Sequence, residues 1–483
     1  MGVTDPADLG VVEAAALLAT RQLSSTELVS ACLSRVEARD GTHSHDGDPG
    51  SINAWARVYA EDAGRAAAMA DDRLSAWGVA RHGPAPPLCG VPVGLKDLYA
   101  VAGRPLTASS RLLELTPDLD CDVWVRLQKA GMVLLGHLHT HEFAAGGTTD
   151  QVGNPWGLDR SSGGSSGGSA AALAAHMVPA ATGTDTGGSL RIPSALCATS
   201  TIKPTRGTVS LAGVVPLGPT LDHAGPMARS LVDCAALLTA MAGPDAGDAT
   251  TAWATGAAVA PFSRGQNHPL SGTRLAVSPR LDRSAIEPDV ADAFKAVVAL
   301  VAELGGEIVE PPSPPVPLDV NDDFFLVLLT EVLDYHRRFD GVRDLYRPSI
   351  REMIEQSEAL AVSGEAYVAA QARRRQTTAG WAQWLAAHHL DALLEPTVPV
   401  VAPLRGGGYD HFGTDAALIS LTYYWNWTGW PVVSLPAGVG SRSGLPVGVS
   451  VIGPQGADAS LLAIGVALQV HLGVPEPARA SCP

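Results

Sequence analysis

Three residues able to do chemistry together stand in three segments: Lys96 at the end of Leu88-Cys-Gly-Val-Pro-Val-Gly-Leu-Lys96-Asp97, Ser165 within Gly163-Gly-Ser-Ser-Gly-Gly-Ser169, and Ser189 within Gly183-Thr-Asp-Thr-Gly-Gly-Ser-Leu-Arg191. A serine hydroxyl is a poor nucleophile until a base takes its proton, and a lysine can be that base only when burial keeps it uncharged. The second loop adds what such a nucleophile requires. Thr186, Gly187 and Gly188, with Ser189 itself, offer successive backbone N–H groups, and glycines permit the dihedrals that let them converge on one oxyanion. One such donor is worth about 3–4 kcal/mol when removed. Taken alone, Gly163–Ser169 resembles a linker. A linker would not lead straight into an Ala-rich apolar helix and then into a second Gly/Thr/Ser turn.

The elements that must position these residues follow from pattern. Leu9 to Arg39 has helical spacing with a start signal at Ser24-Ser25-Thr26-Glu27, which predicts two helices, and Ile52 to Trp77 continues as an Ala-rich helix. Gly78–Pro87 delivers the chain to a strand, Val91–Leu95, with Lys96 at its end. Val123–Ala130 reads as a helix, Val133–Leu135 as a buried strand and Ala170–His176 as a helix. Residues 284–304 and 350–389 read as outer helices, Pro311–Pro317 as a rigid connection, and Pro431–Pro436 and Pro446–Ile452 as late strands. The alternation predicts an α/β fold, a large mixed, mostly parallel sheet covered by helices on both faces. No linker or composition break divides it, so residues 1–483 read as one domain, with its chemical core at about 88–235 and helical packing elements at about 9–77.

Composition narrows the function class. Lys and Arg are outnumbered 33 to 49 and the net charge is −16, which argues against a nucleic-acid partner. Six cysteines show no Cys-x-x-Cys pair and read as reduced thiols. Met-Gly-Val-Thr-Asp-Pro carries no basic n-region, and the apolar stretches around Ala170–Ala181 and Phe324–Leu329 are too short or interrupted to span a bilayer. These readings lead to a cytoplasmic protein with no membrane association. The oligomeric state is left open, a homodimer included.

The three segments, with Glu142-Phe143-Ala144, Asn154-Pro155-Trp156, Lys203-Pro204-Thr205 and Leu221-Asp222-x-x-Gly225-Pro226, resemble the amidase signature family, densely from about Leu88 to Ala235 and more loosely to Pro454. The resemblance implies that Lys96 is the base, Ser165 a bridging serine in a cis peptide and Ser189 the nucleophile. It also implies that Thr186, Gly187 and Gly188 line the oxyanion hole. Ser165 and Ser189 lie 24 residues apart, as the family pattern requires. Ser166 is then expected to assist the local hydrogen bonds, and Asp185 and Arg191 to hold the loop. Departures occur at Ser162, at Ala198-Thr199-Ser200-Thr201 and in the short segment between Gly146 and Asn154, near the implied substrate entrance.

Three rival readings compete with this one. Gly163-x-Ser165-x-Gly167 matches a nucleophile elbow, with His223, His388 or His389 as partner, but it lacks a good strand before it and leaves Lys96 without a role. His137, His139 and His141 share one face of an extended segment, as metal ligands would, yet no ligand motif accompanies them, and His43-Ser-His45-Asp46 reads as a solvated loop. The resemblance also includes the glutamine-hydrolysing subunit of tRNA-dependent amidotransferases, which needs a partner. Against this, His141-Glu142-Phe143-Ala144-Ala145-Gly146 departs from the acid-rich form of the motif in those enzymes, and Tyr423–Trp430 holds five of the chain's 25 aromatic residues. The residues favour a free-standing hydrolase of a small hydrophobic or aromatic amide, working through an acyl-enzyme without metal or other cofactor. Carbamate or ester hydrolysis is the alternative within the family. Phe143, Trp425 and Trp427 are the rings expected to line the substrate pocket.

Overall fold

The computed structural model describes residues 5–80, 86–252, 254 and 268–477. Met1–Thr4, part of Gly78–Pro87 and Cys482 lie outside the described residues. Eleven strands form one sheet in the order Trp55–Val58, Val133–Leu138, Pro92–Lys96, Ala180–Asp185, His223–Ala228, Ser200–Lys203, Val432–Val439, Pro446–Ile452, Ala392–Pro396, Arg274–Val277 and Glu307–Ile308. The sheet is mixed. Parallel pairing joins Val133–Leu138, Pro92–Lys96 and Ala180–Asp185 on one flank, and Ala392–Pro396, Arg274–Val277 and Glu307–Ile308 on the other. Antiparallel pairs run through the middle and close the Trp55 edge. Pro92–Lys96, Ala180–Asp185, His223–Ala228, Ala392–Pro396 and Pro446–Ile452 are buried at every position. That pattern requires cover on both faces, and helices such as Leu231–Met241, Pro288–Glu303 and Asp458–Leu472 pack on these strands.

Local chemistry explains the element ends. Val11–Ala19 and Ser25–Arg39 are the two expected N-terminal helices, and Ser24 and Glu27 form a reciprocal capping box on the second. The segment expected as one helix from Ile52 to Trp77 divides instead: Trp55–Val58 is an edge strand, and the helix runs Ala60–Ala80. Two things win over the alanine-rich pattern. The buried Asp40 carboxylate accepts from the N–H groups of Ala54 (2.6 Å) and Trp55 (3.2 Å), and the missing side chain at Gly136 lets the Arg57 carbonyl approach where a Cβ would lie at 2.1 Å. The outer helices at 350–389 are Pro348–Leu360 and Gly364–Ala387, separated at Ala361, which is left-handed, and started again by the Ser363 cap. The late strands and the Val123 helix form as expected.

Two connections carry the reactive residues. Gly167–Ala174 is a fully buried helix that starts directly after Ser165 and Ser166 and leads to Ala180–Asp185 and the next loop. Its approach to the sheet depends on Gly168, whose added Cβ would meet the Ala54 oxygen at 2.5 Å and the His139 oxygen and nitrogen at 2.6 and 2.7 Å. These are backbone atoms and cannot swing aside. Gly168→Ala should therefore cost about 1–3 kcal/mol in urea unfolding, the range for overpacking, and should displace Ser165. An unchanged midpoint would show that the helix has slack.

Candidate active site

Lys96 closes the strand Pro92–Lys96, and its side chain lies wholly within the protein. Its Nζ contacts three hydroxyl oxygens: Ser165 Oγ at 2.7 Å, Thr184 Oγ1 at 2.8 Å and Ser166 Oγ at 2.9 Å. Among the described residues no carboxylate forms an ion pair with it. Burial, opposed only in part by the more distant Asp185 and Asp222, pushes its pKa well below the ordinary lysine value, so the amine is biased toward its neutral, proton-accepting form. Thr184, one of its three hydroxyl partners, carried no sequence signal beyond its place before Asp185.

The Gly164–Ser165 peptide is cis. The Ser165 carbonyl accepts from the His141 N–H (3.0 Å) and the Thr149 hydroxyl (3.2 Å), so the 141–149 segment braces it. Ser166 donates its backbone N–H to the Ser189 carbonyl at 3.3 Å, which ties the two loops together. Ser189 borders a cavity of about 60 Å³. No hydrogen bond joins Ser165 Oγ to Ser189 Oγ among the described residues; such bonds commonly tighten only with substrate in place.

The loop before Ser189 is held open by its surroundings. Gly188 has φ +138°, and a Cβ there would lie 2.3 Å from Thr422 Oγ1, so only glycine fits. Thr422 donates its hydroxyl to the Gly187 carbonyl. Thr186 donates to Asp222 Oδ1 at 2.5 Å, and the same carboxylate accepts from the N–H groups of Leu217 and Gly218. Burial raises the Asp222 pKa despite these donors. Among the described residues the N–H groups of Gly187, Gly188 and Ser189 have no protein acceptor, and Gly187 and Ser189 line the cavity.

Asp185 and Arg191 form a two-pronged pair within the interior, Nε to Oδ2 at 2.9 Å and Nη2 to Oδ1 at 2.8 Å. Asn426 completes it, donating to the Asp185 carboxylate (2.8 Å) and carbonyl (2.8 Å) and accepting from Arg191 (2.7 Å). Burial opposes ionisation of Asp185, but the Arg191 guanidinium outweighs it and holds the carboxyl below its usual range.

The three rings expected to line the pocket lie elsewhere. Phe143 is buried among Tyr335, His336, Phe339 and Tyr346. Trp425 stacks on Trp430 and donates to Glu395 Oε2 at 2.8 Å, while Trp427 lies under Arg374. All six residues of the helix Tyr423–Thr428 are buried, so its aromatics pack the core, and Asn426 serves the Asp185 pair. The cavity at Ser189 takes its rings from Phe324, Phe325 and Phe412, with Leu328, Met353 and Ile419, and Asp415 is its carboxyl. Helical periodicity around 324–328 marks a buried face but not what it faces, so these residues carried no usable functional signal.

The rival sites separate as well. His137 spends its nitrogens on Tyr59 OH and the Tyr99 carbonyl, His139 meets Ser109, and His141 meets the Thr148 carbonyl. Among the described residues no three metal-ligating side chains gather. The chain before Ser165 is a short hairpin, Gly153–Asn154 with Gly157–Ser161, off the main sheet. His223 turns its Nδ1 to the Leu221 carbonyl at 2.7 Å. No helix among the described residues is long and apolar enough to cross a membrane.

A buried lysine and two serine-bearing loops stand together on this mixed sheet. The Amidase family model matches residues 27–462, and the chain belongs to that family, the amidase-signature enzymes. It is 35% identical over 492 residues to a subunit of the glutamyl-tRNA(Gln) amidotransferase of Corynebacterium glutamicum, covering 95% of each chain. Among solved structures it is similar to 6-aminohexanoate cyclic dimer hydrolase (TM-score 0.83, 27% identity, 99% of each chain). It is also similar to a peptide amidase in complex with chymostatin (TM-score 0.78, 29% identity, 97% of this chain and 99% of that one).

The Asp185 pair generates a stability prediction. Arg191→Ala leaves a buried carboxylate without its cation and should cost about 3–5 kcal/mol in urea unfolding at pH 7. Because the folded Asp185 pKa is depressed, the stability it contributes is present above the ordinary carboxyl pKa and is lost as pH falls through the folded value. Without Arg191 the carboxyl titrates higher, so acidification costs the variant less than wild type and the stability gap between the two should narrow as pH falls. Parallel pH-stability curves for the two proteins would contradict the assignment.

Proposed function

We propose that the protein hydrolyses an amide C–N bond through an acyl-enzyme on Ser189, with Lys96 as base and Ser165 as the proton bridge. The observation that carries this is the Lys96 amine, buried without a carboxylate partner and 2.7 Å from Ser165 Oγ. Neutral Lys96 takes a proton through Ser165 as Ser189 attacks the carbonyl. The N–H groups of Gly187, Gly188 and Ser189, in the loop opened by Thr186, receive the oxyanion. The protonated lysine returns its proton to the leaving amine along the same path, and water repeats the sequence on the ester.

The cavity walls favour an apolar acyl group. Phe324, Phe325 and Phe412 would contact it, and Asp415 would face a donor such as an amine; no Lys or Arg stands among the lining residues to meet a free carboxylate. A second reading, the glutamine-hydrolysing subunit of an amidotransferase, is supported by the likeness to the Corynebacterium glutamicum amidotransferase over nearly the whole chain. In that role Asp415 would meet the substrate's ammonium, and a protein partner would receive the ammonia.

Ser189→Ala should abolish turnover and labelling by a serine-directed phosphonate with the fold retained, while Ser165→Ala keeps weak activity. Wild-type kcat/KM should rise with pH through the depressed lysine pKa and then level, since only the neutral amine accepts a proton; Lys96→Ala should lose several orders of magnitude along with that limb. Labelling of Ser165 in the Ser189→Ala protein, or a flat profile, would overturn the roles.

For substrate class, kcat/KM for a benzoyl anilide should exceed that for acetamide or glutamine by at least about tenfold, and Phe324→Ala or Phe412→Ala should narrow the ratio, at about 1–3 kcal/mol per apolar contact. Glutamine hydrolysis above anilide hydrolysis, or ammonia release only with an added partner, would select the second reading.

A further inference from the structure

A cavity of about 760 Å³ opens beside the aromatic helix, away from Ser189, and Arg206, Arg374 and Arg375 all line it. Among the described residues no acidic one does. Among the described residues none of the three arginines forms an ion pair, in a chain whose net charge is −16. The carboxylates whose fields reach them are otherwise engaged. Glu331 accepts from Thr220 and the Tyr367 hydroxyl, and Asp248 from Thr250 and the Leu211 N–H.

The three guanidinium groups differ in duty. Arg374 is buried and gives its N–H groups to the carbonyls of Trp427, Asn426 and Thr220, so it is part of the wall. Burial, and after it the like charge of Arg206, bring its pKa down to about 10 against the opposing charge of Glu331. Among the described residues the Arg206 guanidinium has only a long contact to the Pro219 carbonyl (3.4 Å), and its buried Nε has no acceptor. Arg375 stands exposed at the rim. Gln455 adds an amide donor and Ala379 and Ala382 an apolar patch, while the Gln371 amide is spent on Thr220 and the Tyr367 hydroxyl.

We propose that this cavity is a second ligand site, which binds a small organic anion, its phosphate or carboxylate held between Arg206 and Arg375 and its body against Ala379 and Ala382. Guanidinium forks match both oxyanions, and neutralising the arginines relieves their mutual repulsion. The volume exceeds what a bare ion needs, and the site is independent of the chemistry assigned to Ser189.

Calorimetric titration of the Ser189→Ala protein with glycerol 3-phosphate, inorganic phosphate and succinate, against sodium chloride at equal ionic strength, tests it. Catalysis plays no part in the measurement. Saturable binding of at least one probe is expected, weakened at least about tenfold in Arg375→Gln and further in Arg206→Gln/Arg375→Gln. Preference among the probes separates phosphate from carboxylate ligands. Arg375→Gln alters an exposed helix position and leaves the fold to be verified by its melting curve. Heat no greater than the salt control for all three probes, or binding unchanged in the double variant, overturns the site.

Discussion

Lys96 Nζ lies among three hydroxyl groups with no carboxylate bonded to it, and the surrounding protein is arranged so that this remains true. A carboxylate in contact would hold the amine charged and remove its ability to accept a proton. The acids nearest the site are committed elsewhere: Asp185 to Arg191 and Asn426, Asp222 to Thr186 and the 217–218 backbone. The same commitments set the loop before Ser189. The lowered lysine pKa and the shaped loop therefore draw on one set of contacts.

This explains the demand on the sheet. Lys96, Thr184 and Asp185 stand at the ends of neighbouring parallel strands, Pro92–Lys96 and Ala180–Asp185, so the amine and Thr184 are set by ladder register. The serines come from the loop between the cis peptide and the helix Gly167–Ala174, which is wedged against the strand ends through Gly168. A second buried lysine, Lys203, is pushed toward neutrality in the same way, but it donates to the carbonyls of Trp430 and Pro204 and, among the described residues, to no hydroxyl. Burial alone does not make a base.

Residue type and spacing in the sequence determined what is local: the two Gly/Ser loops, the helix between them, the capping box at Ser24 and Glu27, and the strand ending at Lys96. These are properties of short segments, in which glycine freedom, caps and apolar runs act over a few residues. The family followed from the same motifs, because several of them stand in order along the chain.

What faces the substrate was decided only by the tertiary structure. Trp425 and Trp427 look the same in sequence as Phe324 and Phe412: all are aromatic, yet the first two pack against Trp430 and Arg374 and the second two line the cavity at Ser189. The apolar tendency that buries a ring has no direction, and the partner it meets comes from segments far apart in the chain. Likewise the Ile52–Trp77 segment carried a helical composition throughout, and its first part became a strand because Asp40 and the edge at Gly136 were waiting for it. Asn426 is the same lesson in reverse, a polar residue lost among aromatics in sequence that the fold brings to the Asp185 carboxylate.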